Sequence, residues 1–138
     1  MVTFKIYNMP GDGNCLFHSL GKAFKKSHIE MRNTIIGFIE RKPKYKISDA
    51  RIKDWIKWEN NLSWRKYVSY MLNQGTWGGA LEIQLCSEIF NTNIVVLERG
   101  KNDGKFNIIS KFLRNKGRIV FLVYEGRCHY NYCEVITE

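Results

Sequence analysis

Apolar residues recur at helical spacing from Cys15 to Phe90, and from Asn93 onward they recur in short β-type runs instead. The first stretch divides into five helical segments, 15–26, 29–42, 48–60, 64–72 and 79–90. In the first of these, Leu16, Leu20, Ala23 and Phe24 share one face. Pro43 cannot continue the second segment, and Ser48 reads as the N-cap of the third. The later runs, 93–98, 105–110, 118–125 and 129–136, are rich in β-branched and aromatic residues and are separated by Gly, Asn and charged residues. Residues 2–7 alternate and form one earlier strand. Helices first and antiparallel-type strands later predict an α+β fold, with a central, mostly antiparallel sheet flanked by helices.

A chain of 138 residues suffices for one core and not for two, so a single domain over 1–138 is expected. With 44% hydrophobic residues it is a packed protein rather than a disordered one. No apolar run reaches membrane-spanning length, and the N-terminus lacks a basic-then-apolar leader pattern. A soluble, intracellular and therefore reducing setting is expected. Cys15, Cys86, Cys128 and Cys133 are irregularly spaced without a Cys-x-x-Cys pair, which favours free thiols over a disulfide framework. The formal charge of +9 concentrates in 41–57 and 99–118. Neither run matches a nucleic-acid-binding motif, and solvated lysines on outer faces are the favoured explanation.

Residues 11–20, GDGNCLFHSL, place a cysteine between a polar glycine turn and an apolar helix. A helix N-terminus offers unpaired N–H groups and the positive end of the peptide dipoles, which stabilise a thiolate. The same N–H groups can receive an oxyanion formed when that thiolate attacks a carbonyl. Gly11 and Gly13 let the turn aim its donors inward, while Asp12 and Asn14 can hold its shape. Alone, the stretch is equally compatible with a capping turn carrying an incidental cysteine. A nucleophile needs a base, and the chain has three histidines. His18 lies one turn along the same helix, and His28 sits in a connection or at a helix start. His129 lies on the last strand with Asn131 two residues on, so the two share a face. A same-face Asn can fix the imidazole tautomer, as the third member of a Cys-His-Asn set does.

This combination resembles the ovarian-tumour (OTU) domain cysteine proteases. Three blocks carry the resemblance, in order and over essentially the whole chain: Asp12-Gly13-Asn14-Cys15-Leu16-Phe17, the Trp-Gly segment Thr76-Trp77-Gly78-Gly79-Ala80-Leu81-Glu82-Ile83-Gln84-Leu85, and His129-Tyr130-Asn131-Tyr132. His18 stands where many cellular members carry Arg, and the His form resembles viral members. The resemblance implies a deubiquitinase that hydrolyses isopeptide bonds at the C-terminal glycine of ubiquitin or a ubiquitin-like modifier. It implies Cys15 as nucleophile, His129 as base, Asp12 or Asn131 or both as orienting residues, and Gly13 and Asn14 in the oxyanion turn. Trp77 and Tyr130 are the flat residues expected along a narrow cleft for a Gly-Gly tail, with an ordinary core tryptophan the alternative for Trp77. No cofactor and no metal are implied. Ubiquitin and polyubiquitin are the expected partners of a monomer in the cytoplasm (of the host, if viral), with the nucleus open and neither membrane nor nucleic acid expected.

Cys86 reads as core, and Cys128 and Cys133 as structural thiols. The ubiquitin-facing groove is expected to be neutral or acidic, with Glu82, Glu125 and Glu134 near it and the basic runs elsewhere. Two rival classes stand beside this reading. One is a zinc site from Cys128, His129 and Cys133, opposed by the opposite facing of adjacent strand residues. The other is an inactive ubiquitin-binding scaffold or a basic nucleic-acid-binding module.

Overall fold

The computed structural model describes residues 2–99, 105–126 and 129–137. Strand β1 (Val2–Tyr7) comes first. Helices α1 (Cys15–Phe24) and α2 (His28–Arg41), a hairpin of β2 (Lys46–Ile47) and β3 (Ala50–Arg51), and helices α3 (Ile52–Asn60), α4 (Trp64–Met71) and α5 (Ala80–Ile89) follow. Strands β4 (Asn93–Arg99), β5 (Phe106–Phe112), β6 (Ile119–Glu125) and β7 (His129–Thr137) close the order. The five long strands form one sheet in the order β1-β7-β6-β4-β5. Only the β4–β6 pair is parallel, so the mixed α+β class and the mostly antiparallel sheet are both present.

Strand periodicity divides the core in two. Ile94, Val96, Val120, Leu122 and Tyr132 point to the helical side, where they pack with Leu16, Phe17, Leu20, Met31, Ile35, Ile39 and Ile83. Val95, Leu97, Val123 and Cys133 point the other way and are covered by Phe4, Phe106 and Phe121, whose rings meet edge-on. The helices therefore pack on one face of the sheet rather than on both. Burying each of the fully enclosed isoleucines of α2 contributes about 1.5–3 kcal/mol relative to exposure, which anchors this helix across the others.

The segment read as one helix from Ser48 begins differently. Lys46 pairs with Arg51 and Ile47 with Ala50, and Ser48 sits in the hairpin turn at φ 57°. Helix α3 starts only at Ile52, where the Asp54 carboxylate accepts the Arg51 N–H at 3.2 Å and the guanidinium at 2.8 Å. Two residues per strand leave no alternation to read, so the local turn overrode the helical pattern. His28 is the first residue of α2, with Ser27 capping it by accepting the Glu30 N–H at 3.1 Å.

Candidate active site

Cys15 is the first residue of α1 and is buried. The turn before it is held by its own side chains. Asp12 Oδ1 accepts the Asn14 N–H at 3.0 Å, and this bond above all holds the Asp12 carboxyl below its ordinary pKa. Gly13 has φ 85°, and a Cβ there would lie 2.1 Å from the Gly75 carbonyl oxygen, so two backbones meet where only glycine fits. The Asn14 side chain does not cap α1. Its Oδ1 turns aside to accept the Gly75 N–H at 2.7 Å and Arg32 Nη2 at 2.8 Å. The turn at 11–14 and the loop at 73–79 are thus fastened together. Asn14 contributes its side chain to this fastening, and its N–H is already committed to Asp12.

His129 and Asn131 open β7 on a common face, with His129 Nε2 and Asn131 Oδ1 2.8 Å apart. The surrounding groups fix which atom donates. Asn131 Oδ1 also accepts the Met9 N–H at 2.7 Å, and Asn131 Nδ2 donates to Glu125 Oε2 at 3.1 Å. A backbone donor on one side and a carboxylate on the other allow only this orientation of the amide. His129 Nε2 must then carry a hydrogen, which in the neutral imidazole leaves the lone pair on Nδ1. Glu125 is itself held by Arg99 at 3.4 Å.

Gly11, Gly13, Cys15, Trp77 and His129 line one cleft of about 50 Å³. Helix α1 supplies the thiol, β7 the imidazole and the 73–79 loop the indole, which is 61% exposed and so is not a core tryptophan. Cys15 Sγ accepts the Tyr130 N–H at 3.4 Å, and the Tyr130 carbonyl accepts Ser19 Oγ of α1 at 3.2 Å, which docks the helix onto the strand. A wider concavity of about 340 Å³ runs along Tyr67, Tyr70 and Met71 and shares only Trp77 with this cleft. It contains neither thiol nor imidazole, so the chemistry belongs to the narrow one.

The other sequence candidates separate by position. The Tyr130 ring is not part of the cleft lining. It packs beside Tyr124, with centroids 4.9 Å apart, against the helical core, and burial pushes its phenol up to about 12. Asp12 faces His18, whose Nε2 is 3.6 Å from Oδ2, and the His18 ring lies 4.1 Å from that of His28, tilted by 38°. Asn131 is the residue in contact with His129. Cys86 and Cys133 are buried, free thiols whose pKa values burial raises, Cys133 to about 12. Cys128 lies outside the described residues, and among those described no group of three His, Cys, Asp or Glu converges as a metal site. Of the three glutamates expected near the groove, only Glu125 adjoins the site. Glu82 is buried, its carboxylate accepting the Gly79 N–H at 2.7 Å and the Tyr67 hydroxyl at 2.5 Å, and Glu134 is exposed on β7.

Three residues of the site lie outside the sequence motifs: Arg32, Gly75 and Met9. Arg32 did carry a signal, since it falls on the same helical stripe as Ile35, Ile36 and Ile39. Gly75 and Met9 act through backbone N–H groups, which no side-chain pattern announces.

The family profile described as OTU-like cysteine protease matches residues 10–130. The chain belongs to this family. As an OTU-like chain it is 27% identical over 129 residues to a candidate ubiquitin thioesterase of Invertebrate iridescent virus 6, covering 92% of this chain. It is 26% identical over 134 residues to the ovarian tumor domain-containing deubiquitinating enzyme 10 of Arabidopsis thaliana, covering 95% of this chain. It spans only 18% and 35% of the lengths of these two relatives. The OTU fold itself is seen in the Hazara virus OTU bound to ubiquitin, at TM-score 0.78 and 18% identity, covering 98% of this chain and 83% of that one.

Proposed function

We propose that this OTU-like chain is a deubiquitinase that hydrolyses isopeptide bonds at the C-terminal glycine of ubiquitin. The observation that carries the reading is that Cys15 and His129 line one narrow cleft, with Asn131 buried behind the imidazole and bonded to Nε2, so that Nδ1 is left as the proton acceptor. His129 Nδ1 takes the Cys15 proton, and the thiolate attacks the glycine carbonyl. The tetrahedral oxyanion is received at the N-terminus of α1 by N–H groups of the turn other than Asn14's. The imidazolium then gives its proton to the leaving lysine amine, forming a thioester on Sγ. Water, deprotonated by the same nitrogen, releases the glycine carboxylate and restores the thiol.

Asn131 orients the imidazole, and Asp12 acts one step back by holding the turn. The cleft's small volume and glycine walls suit a Gly-Gly tail and exclude bulkier side chains. The names of the relatives and the ubiquitin-bound fold neighbour support ubiquitin as the modifier. Among the described residues no helix is long and apolar enough to cross a membrane. We place the reaction in the cytoplasm, a reducing setting in which the nucleophile and the free thiols Cys86 and Cys133 stay reduced. Incubation with polyubiquitin of defined linkages tests the reading. Wild-type protein should release shorter chains, and Cys15→Ala and His129→Ala should release none.

A further inference from the structure

Arg32 belongs to no catalytic step above, yet it is one of the most buried side chains in the molecule, 1% exposed. A guanidinium at that depth is costly unless its donors are bonded. Here Nη1 and Nη2 are bonded by the two loops that wall the cleft and by the end of α4, while Nε has no hydrogen-bond partner. Nη2 donates to Asn14 Oδ1 at 2.8 Å and to the Thr76 carbonyl at 2.7 Å. Nη1 donates to Thr76 Oγ1 at 2.7 Å and to the Met71 carbonyl at the end of α4 at 2.8 Å. The guanidinium also lies over the Phe17 ring, 4.2 Å from its centroid, which fixes its plane.

On one side of this fork stands the residue immediately before the nucleophile. On the other stands the residue immediately before Trp77, the exposed wall of the cleft. Asn14 Oδ1 receives Arg32 and the Gly75 N–H together, so the same oxygen joins all three segments. A lysine at position 32 would carry the charge but not the planar fork, and the three donors of one ammonium cannot make all four bonds that Nη1 and Nη2 share.

Resting on the thiol-protease reading above, we propose that Arg32 is a positioning residue that sets the distance between the oxyanion turn and the Trp77 wall. It holds the turn in the geometry that the tetrahedral intermediate needs. Its removal therefore acts on turnover more than on ubiquitin binding, because the binding surface beyond the cleft is untouched.

The test compares wild type with Arg32→Lys and Asn14→Ala in the full chain. In Arg32→Lys, kcat for ubiquitin hydrolysis should fall roughly 30–100-fold while KM changes less than about 3-fold, the signature of lost transition-state alignment. Alkylation of Cys15 by iodoacetamide, which needs no cleft wall, should stay within about 2-fold of wild type. Asn14→Ala should show a similar loss, and the double variant should be no worse than either single one, because both cut the same tie. Should Arg32→Lys fail to fold, the kcat-against-KM split in Asn14→Ala decides. Amide exchange at Gly75 reads the tie without substrate: in Arg32→Lys it should quicken by roughly tenfold or more with β6 unchanged. An unchanged kcat in the folded variants, or unchanged Gly75 exchange in Arg32→Lys, overturns the proposal. Inactivity of the wild type would instead overturn the deubiquitinase reading, and Gly75 exchange would still decide the tie.

Discussion

Asn131 Oδ1 is shared between His129 Nε2 at 2.8 Å and the Met9 N–H at 2.7 Å, so the chain segment leaving β1 dictates the tautomer of the base on β7. The sheet brings this about directly. Strands β1 and β7 are paired from Val2–Thr137 to Tyr7–Tyr132, which delivers Met9 to the start of β7.

The same network predicts how substitutions at Asn131 divide. Asn131→Ala should lower kcat roughly 10–100-fold, since an orienting residue acts indirectly, and His129→Ala should abolish turnover. Asn131→Asp keeps an acceptor for both donors but faces Glu125 Oε2 with a second carboxylate at about 3.1 Å. Its activity should fall about tenfold at neutral pH and recover in Asn131→Asp with Glu125→Gln, where the repulsion is gone. Initial rates on a fluorogenic ubiquitin substrate check the series; no recovery in the double variant would contradict the assigned orientation of the amide.

Two glycines of one turn should answer differently to alanine. Gly13→Ala forces a left-handed conformation on a side chain that meets the Gly75 oxygen at 2.1 Å, and should cost about 1–3 kcal/mol of stability and most activity. Gly11→Ala meets nothing within 4 Å and should leave the urea midpoint unchanged. Paired denaturation curves measure the contrast.

The buried Glu82 carboxyl predicts a pH effect on stability. Burial raises its pKa above the ordinary value of 4.5, more than the bonds from Tyr67 and Gly79 and the charge of Arg32 lower it. The fold therefore favours the protonated group, and this contribution is lost as pH rises from about 4.5 through the raised value. Glu82→Gln cannot ionise, so its stability relative to wild type should increase between pH 4.5 and 7.5. Urea midpoints of the two proteins at both ends of that window give the comparison. A relative decline would reverse the sign.

Lys42, Lys44 and Lys46 are exposed and contribute nothing to the cleft lining. Substituting all three with Gln should leave ubiquitin cleavage within about 2-fold across salt concentrations, as screening matters only for charges near the encounter face. A large loss would place this basic run at the substrate.

How far these features could be read in the sequence followed the range of the interactions involved. Cys15 at a helix start and His129 with Asn131 on one strand face are local consequences of 3.6- and 2-residue periods, and both were legible. The β2–β3 hairpin was not, because two-residue strands carry no period. Glu82 and Arg32 were misread or passed over for a shared reason. Each is a charge on an apolar stripe whose partners, Tyr67 for one and Asn14 and Thr76 for the other, are 15 to 44 residues away. Tyr130 read as a cleft residue because it neighbours His129, yet strand alternation sends its ring to the helical core.

The most direct test of the account is reaction with ubiquitin bearing an electrophile at its C-terminal glycine, followed by peptide mass analysis of the adduct. Wild-type protein should form a one-to-one adduct at Cys15, with Cys86 and Cys133 unmodified, and Cys15→Ala should form none. Absence of an adduct with wild type, or an adduct that persists in Cys15→Ala, would contradict it.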